Sequence, residues 1–305
     1  MSQIIDETTL ADLIAQFGSS SSTAWIEKER YRLWRPSEPI PESSFVPIQG
    51  YMEKDHYIFA WGDPIVSSPA ALSSVVSQFA AFCHSNGKKP VWLCVGRELV
   101  DVLAEELGWS GISCVTEDEV DPAHIVALTS PVSKGKAGQH AVKDLKKNLA
   151  KAEKAGVDIR EIKRHEWKED ERAQVEYGIA TWKAGKHGIQ LASTSFQPWV
   201  DIEHRRFWVA RVADKVICVF ERAYEDFLNP LSQIVGVLIL TPIINGSWQI
   251  KNCASFPSAP KGTSEALIYT MLKDIDQEWL GSPVASFSLS LGLCKIAESK
   301  PYHFL

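Results

Sequence analysis

The spacing of apolar positions along the chain predicts alternating helices and strands. Apolar residues recur at three- and four-residue steps in the predicted helices, at 9–18, 69–86, 98–108, 140–156, 167–185, 197–207 and 263–280. Short apolar runs predict strands at 56–65, 89–96, 124–129, 157–162, 233–240, 247–256 and 285–292, with a hairpin over 206–222 that turns at Ala213 and Asp214. Gly18, Gly108 and Gly156 follow predicted helices, where glycine commonly ends a helix.

This alternation predicts an α/β fold. The order of elements is similar in the two halves, which permits a duplicated fold although no sequence repeat is visible. The segment SPVSKGKAGQH, at 130–140, is a polar connection between them. We therefore expect an N-terminal domain over 1–133 and a C-terminal domain over 134–305.

Composition narrows the possible functions. The 305 residues are 45% hydrophobic and 23% charged, which is typical of an ordinary globular protein. The six cysteines form no CxxC pair and lie mostly in apolar runs, so we expect reduced thiols in a cytosolic protein. No stretch approaches 18 apolar residues, and no P-loop, GxGxxG, GxSxG or HExxH motif is present. We expect neither a membrane span nor a cofactor nor a metal.

One segment reverses the charge of the chain. The whole sequence carries a net charge of −6, but residues 134–164 contain ten lysines and arginines against four acids. The helix within this segment has an apolar face formed by Val142, Leu145, Leu149 and Ala152, and its lysines fall on the other side. This pattern predicts contact with a polyphosphate backbone or an anionic membrane, and its alternative is an ordinary solvated helix face.

The segment ASFPSAPKGTSEALIYTMLKDI, at 254–275, predicts a strand, a loop and a helix, with another strand after it. That order is similar to the acyl-donor half of GNAT acyltransferases, in which the helix N-terminus holds an anion. Gly262 would permit a close backbone approach, and Thr263 or Ser264 would cap the helix. The Arg/Gln-x-x-Gly-x-Gly/Ala signature for CoA is absent, so we expect a phosphate or ribose contact or an ordinary capped turn.

The segment TWKAGKHGIQL, at 181–191, carries two glycines, two lysines and His187 beside Trp182. We interpret it as a wall of the site, with His187 as a candidate general base. The alternative is a surface histidine without a catalytic role.

Taken in order, these segments resemble a known family. The resembling stretches are 59–65 (FAWGDPI), 79–95, 141–159, 181–191, 256–272 and 286–292 (SFSLSLG). Together they are similar to the C-terminal catalytic domain of bacterial phosphatidylglycerol lysyltransferases and alanyltransferases, which fungal ergosteryl-aspartate and ergosteryl-glycine synthases share.

The resemblance implies two tandem GNAT-like domains that move an aminoacyl group from aminoacyl-tRNA to a lipid hydroxyl. It implies tRNA binding by Lys143, Lys146, Lys147, Asn148 and Lys151. Beside the resemblance, the candidate catalytic residues are Lys186, His187 and Lys251, and the candidate substrate-binding residues are Trp182, Gln190, Trp248, Pro260, Gly262, Thr263 and Glu265. The protein would work in the cytoplasm, peripherally on membranes or on lipid droplets, and a cleft containing Trp182, Phe196, Trp199 and Trp248 would hold the acceptor.

The donor and acceptor are expected from two further features. Bacterial members usually carry an acid where this chain has Lys251, so a cationic donor is disfavoured, glycine is favoured and aspartate comes next. In the alternative, Lys251 points to solvent. The chain begins at Met1 without transmembrane helices or a synthetase domain, and so resembles the freestanding fungal form, which implies the 3-hydroxyl of ergosterol as acceptor. Two other hypotheses are an acyl-CoA-dependent GNAT N-acyltransferase and a non-catalytic RNA- or membrane-binding module.

Overall fold

The computed structural model describes residues 7–27, 29–112, 115–130, 140, 142–185, 196–213, 232–279 and 289–296. The first half contains helix α1 (Glu7–Phe17), strands β1 (Arg32–Trp34), β2 (Gln49–Lys54) and β3 (Tyr57–Trp61), helix α2 (Leu72–Ser85), strand β4 (Lys89–Leu93) and the short helix α3 (Arg97–Asp101). These strands form a sheet in the order β1-β2-β3-β4, antiparallel except for the parallel pair β3 and β4. Helix α2 packs Val75, Phe79 and Cys83 on this sheet.

The second sheet has six strands in the order β5-β10-β9-β8-β7-β6. The strands are β5 (Val115–Val120), β6 (Val157–Ile162), β7 (Arg206–Ala213), β8 (Ser232–Pro242), β9 (Trp248–Ser255) and β10 (Leu289–Ile296). The helices are α4 (Pro122–Thr129), α5 (Lys143–Lys154), α6 (Glu169–Ala184) and α7 (Thr263–Trp279). Helix α6 covers one face, where Val175 and Ile179 join the core, and α7 covers the other with Leu267 and Met271.

The two sheets share one pattern of connections. Three antiparallel strands, β1 to β3, lead through α2 to the parallel strand β4, and β7 to β9 lead through α7 to the parallel strand β10. The mixed α/β fold is therefore confirmed. Strand β5 and helix α4 precede residue 133 but belong to the second sheet and its helical layer, since β5 pairs with β10 and α4 contacts α7. The division into two tandem GNAT-like domains at residue 133 stays a prediction.

Several predicted elements need correction. Residues 124–129 were predicted as a strand but lie in α4, because the Asp121 carboxylate accepts hydrogen bonds from the amides of Ala123 and His124 and Pro122 begins the helix. The strand of this region is β5, whose sequence VTEDEV lacks an apolar run. The predicted helix at 197–207 is wrong, since 199–204 form turns and β7 starts at Arg206. The return strand of the predicted hairpin, at 215–222, lies outside the described residues.

The serine-rich segment after α1 joins the two halves of the molecule. Its residues Ser22–Ala24 form a buried 3-10 turn. The Ser21 hydroxyl donates to the Cys94 carbonyl beside the first sheet at 3.1 Å, while the Thr23 hydroxyl donates to Gln249 Oε1 in β9 at 2.7 Å. No helix within the described ranges is both long and apolar enough to cross a bilayer.

Candidate functional site

Helix α5 carries the predicted lysine stripe on its outer side. Val142 and Ala152 are buried and Leu145 and Leu149 are half-buried, as their spacing predicts. The exposed lysines are Lys143, Lys147 and Lys154, and the half-buried ones are Lys146 and Lys151. The amphipathic helix is therefore confirmed, and its cationic side faces solvent.

The backbone of α5 packs directly against the N-terminal end of α7. Gly262 has φ +95°, and a Cβ added there would lie 2.1 Å from the Asn148 carbonyl oxygen. Asn148 Nδ2 also donates to Glu265 Oε1 at 2.8 Å, and Lys151 Nζ donates to Asn148 Oδ1 at 3.3 Å. The backbone of α5 therefore makes the close approach that a glycine at position 262 permits.

The loop adds a cation to the lysine side of α5. Lys261 is exposed in the loop between β9 and α7. The pKa of Lys151 is lowered by desolvation and by the positive charges of Lys261 and Lys147, with Asp144 and Glu265 opposing. Because the charges of Lys147 and Lys261 both act on the Lys151 ammonium group, these three lysines form one cationic surface that spans a helix and a loop. We call Lys147, Lys151 and Lys261 the lysine surface.

Two other loop residues predicted to bind substrate are buried. Gly262 and Thr263 are inaccessible, and the Thr263 hydroxyl donates to the Pro260 carbonyl at 2.7 Å. At the end of α7 that would hold a CoA pyrophosphate, the Asn148 carbonyl lies against Gly262. Within the loop, half-buried Pro260 and exposed Lys261 remain accessible to a ligand.

Lys251 lies inside the molecule, so the alternative in which it points to solvent is wrong. Its side chain is 2% exposed, and its Nζ donates to the Thr23 carbonyl at 3.2 Å and lies 3.7 Å from Glu27 Oε1. Burial and the nearby Arg205 guanidinium lower the Lys251 pKa to about 8, and Glu27 opposes this shift. No local pattern in the sequence indicates this cluster, because Thr23 and Lys251 are 228 positions apart.

The strand is irregular at Lys251. Ile250 pairs with Leu240 and Asn252 with Ile239, which leaves Lys251 as the extra residue of a β-bulge. Within the described part of β10, its parallel pairing with β9 runs from Trp248 to Ile250 and does not reach the bulge. Beyond it, the buried Asn252 Oδ1 has no hydrogen-bond partner among the described residues, a feature that often marks a functional group. Sequence analysis missed Asn252.

The aromatic residues expected to form one acceptor cleft lie on opposite faces of the sheet. Trp182, Phe196 and Trp199 pack in the core beneath α6, where the rings of Trp182 and Phe196 are 5.9 Å apart. Trp248 packs with the α7 side, and the Arg206 guanidinium carbon lies 5.6 Å from its ring centroid. These four side chains therefore do not share a cleft.

Three predicted site residues, Lys186, His187 and Gln190, lie outside the described residues, and their roles stay predictions. Helix α6, which precedes them, ends at Ala184. Among the residues that the structure describes, no three histidine, cysteine or acidic side chains group as metal ligands would.

Comparisons with known proteins agree with this architecture. L-PGS from Bacillus licheniformis superposes with a TM-score of 0.67 at 15% identity, covering 94% of this chain and 75% of that chain. The C-terminal domain of a protein named as a lysylphosphatidylglycerol synthetase, from Agrobacterium fabrum, has a TM-score of 0.63 at 12% identity, covering 93% and 78%. A conserved protein of unknown function from Bacteroides thetaiotaomicron has a TM-score of 0.55 at 9% identity, covering 94% and 88%.

At these identities the structural likeness shows a shared fold. A search of curated proteins finds no match. The family described as phosphatidylglycerol lysyltransferase, C-terminal, matches residues 42–295. Because this match spans most of the sequence, the chain belongs to the phosphatidylglycerol lysyltransferase C-terminal family.

Proposed function

We propose that this protein transfers an aminoacyl group from aminoacyl-tRNA to a lipid hydroxyl. Family membership supports aminoacyl transfer to a lipid in general. The observation that carries the tRNA assignment is the contact between α5 and the loop before α7, in which Asn148 meets Gly262 and the lysine surface spans both elements. A row of cations beside such a loop fits the phosphates of an RNA acceptor end.

The reaction exchanges one ester for another. The lipid hydroxyl attacks the carbonyl carbon of the aminoacyl ester, the ribose oxygen leaves, and the proton of the lipid hydroxyl passes to that oxygen. Because the donor is already activated, the protein needs to align the substrates, exclude water and stabilise the oxyanion. We assign proton transfer to His187, with Lys186 supporting the oxyanion.

The bulge in β9 supports placing the reaction beside this strand. The pairing that the structure describes between β9 and β10 ends at Ile250, one residue before the extra residue Lys251. Backbone N–H groups that a bulge leaves out of the ladder are suitable donors to an oxyanion. The buried Asn252 Oδ1 is an acceptor suited to the α-ammonium group of the donor.

We propose glycine as the donor amino acid, with aspartate next, and the 3-hydroxyl of ergosterol as acceptor. The buried Lys251 ammonium supports the donor choice, because a cationic side chain nearby would be repelled in a medium of low dielectric. Glu27, 3.7 Å from Lys251 Nζ, weakens this repulsion and leaves a smaller preference. The sterol rests on the sequence resemblance to fungal ergosteryl synthases. We further propose that the protein acts from the cytoplasm, peripherally on membranes or lipid droplets.

The experiment is a transfer assay with total aminoacyl-tRNA, in which each amino acid is labelled in turn, plus an ergosterol-containing lipid extract. We expect labelled glycine in the organic phase, released by mild alkali because the product is an ester. Free amino acid with ATP is the control for tRNA dependence. If no amino acid yields an alkali-labile lipid, the proposal is wrong and a non-catalytic binding module gains support.

The acyl-CoA alternative makes a different prediction. Calorimetry with acetyl-CoA should show no binding, because the CoA signature is absent from the loop and the Asn148 carbonyl already lies against Gly262 at the end of α7. Micromolar binding of acetyl-CoA would favour the N-acyltransferase hypothesis.

A further inference from the structure

A cavity of about 270 Å³ lies between α6 and the start of the loop that follows β9. Its lining includes Tyr177 and Gly178 from α6 and Phe256, Pro257 and Ser258 from the loop. A Cβ added to Gly178 would lie 2.2 Å from the Phe256 ring, so glycine allows this ring to pack against the helix. The cavity therefore has an aromatic wall that the fold holds in place.

Tyr177 gives the cavity an exposed aromatic ring. Its residue surface is 75% exposed, an unusual position for a large aromatic side chain on a helix that otherwise packs on the sheet. One turn later, the Thr181 hydroxyl donates to the Tyr177 carbonyl at 2.8 Å. An exposed ring beside a cavity is a suitable stacking surface for a planar ligand.

Polar groups share the lining with the aromatic rings. Gln174 Oε1 accepts a hydrogen bond from the Ile234 amide at 3.0 Å, which holds the carboxamide in position. Thr181 and Ser258 are further lining residues, and most of the lining is apolar. An apolar lining with an aromatic wall suits the flat face of a nucleobase, and the Gln174 carboxamide is the fixed amide group beside it.

The cavity lies close to the lysine surface along the loop. Ser258 lines the cavity, and Lys261 belongs to the lysine surface. Their positions are three apart in the chain, so their Cα atoms are at most about 11 Å apart. A nucleotide with its base in the cavity therefore has its phosphates within reach of these cations.

We infer that this cavity receives the terminal adenosine of the aminoacyl-tRNA, with its base stacked on Tyr177 and the adjoining phosphates on the lysine surface. The inference rests on the proposed function and specifies how the donor is held. The volume supports one nucleoside, because sites for larger ligands occupy roughly 300–1,000 Å³. A sterol would need a longer apolar cavity.

The test measures the affinity of deacylated total tRNA, either intact or lacking its terminal adenosine, for the whole protein. For the wild type, removal of the adenosine should weaken binding about 5- to 100-fold, since one stacked base contributes that much. Tyr177→Ala should bind intact tRNA as weakly as trimmed tRNA, and Tyr177→Phe should restore the difference. Tyr57→Ala, which removes another exposed tyrosine from the first sheet, should behave as wild type.

Other results would overturn the inference. Equal binding of intact and trimmed tRNA by the wild type would do so while leaving the proposed function standing, provided that transfer activity is present. An unchanged difference in Tyr177→Ala, together with a higher lipid concentration needed for half-maximal transfer, would assign the cavity to the acceptor. Absence of both tRNA binding and transfer would instead contradict the proposed function, and the inference with it.

Discussion

The two strand–helix–strand units of this molecule, β3–α2–β4 and β9–α7–β10, have the same topology but different surroundings. In the first unit, the parallel strands pair over all five residues of Tyr57–Trp61. In the second, the described pairing stops at Ile250, and a bulge follows. The parallel pair of the first unit is regular, whereas the second unit carries a bulge, a feature that is over-represented next to active sites.

Charge separates the two units as well. Helix α2 contains no lysine or arginine, and the loop before it carries Asp63, whose carboxylate accepts a hydrogen bond from the Gly96 amide at 2.9 Å. Burial raises the pKa of Asp63 to about 6, so this group is largely ionised at neutral pH. The corresponding end of the second unit carries Lys261 beside Lys147 and Lys151. The two units thus share a topology, and the side chains at the loop determine which ligand each unit can bind.

The prediction with the largest expected effect removes the charge difference between the two units. Lys147→Glu with Lys151→Glu should weaken tRNA binding on the order of 1,000-fold at 50 mM salt and reduce the slope of its salt dependence by about 2. The control is Lys54→Glu with Lys89→Glu, which reverses two exposed lysines of the first sheet. Filter binding across a salt series measures both. Equal losses in the two double variants would mean that the second unit has no special role.

The second prediction concerns the contact that brings α5 to the loop. Gly262→Ala places a Cβ against the Asn148 carbonyl at a positive φ, so we expect a loss of about 3 kcal/mol in the free energy of unfolding. Gly156→Ala, at φ +74° with nothing within 4 Å, isolates the backbone cost and should lose about 1 kcal/mol. Urea denaturation measures both values. If the losses are equal, the packing of α5 against α7 is not tight.

The third prediction concerns pH. The folded pKa of Lys251, about 8, lies below its ordinary 10.5, so protonation of this group costs stability in the folded state. Below pH 8 the Lys251 side chain is protonated in both the folded and the unfolded protein. The full cost of burying its charge then lowers the stability. Between pH 8 and 10.5 the unfolded state binds more protons, so stability should rise by up to about 3 kcal/mol.

Lys251→Met should lack that rise. Chemical denaturation of the wild type and the variant at pH 7.5, 9 and 10.5 gives the difference, because other titrating groups are common to both proteins. Parallel pH dependence in the two proteins would contradict the buried position of Lys251.

The smallest predicted effect belongs to the first unit. The Ser68 hydroxyl accepts a hydrogen bond from the Ala70 amide at 3.3 Å, at the start of the 3-10 turn that leads into α2. Ser68→Ala should cost about 1 kcal/mol of stability. It should leave tRNA affinity unchanged, and a loss of affinity would show that the first unit contributes to binding.

Periodicity predicted most elements because their signals are local. The apolar face of α5 and the strand at 157–162 were predicted correctly, since each depends on residues within one element. Residues 124–129 were mistaken for a strand because a short apolar run fits a buried helix equally well. The capping pair Asp121 and Pro122 was the available signal for a helix.

The site was predictable in part for the same reason. The basic helix and the loop at Lys261 are visible in the sequence, but the contact between Asn148 and Gly262 joins positions more than a hundred residues apart. The cluster around Lys251 depends likewise on Thr23 and Glu27, which no local pattern connects with β9. Long-range packing of this kind follows from the fold and carries no signature of its own.

The central claim is that the second unit, with α5 packed on its loop, transfers an aminoacyl group from tRNA to a lipid. The most direct measurement is the rate at which label from glycyl-tRNA enters alkali-labile lipid, compared between the wild type, the Lys147→Glu/Lys151→Glu variant and the Lys54→Glu/Lys89→Glu control. We predict transfer by the wild type and the control at similar rates, and a loss of at least about 100-fold in the α5 variant at subsaturating tRNA. Transfer by the α5 variant at the wild-type rate, or no transfer by any of the three with any aminoacyl-tRNA, would contradict it.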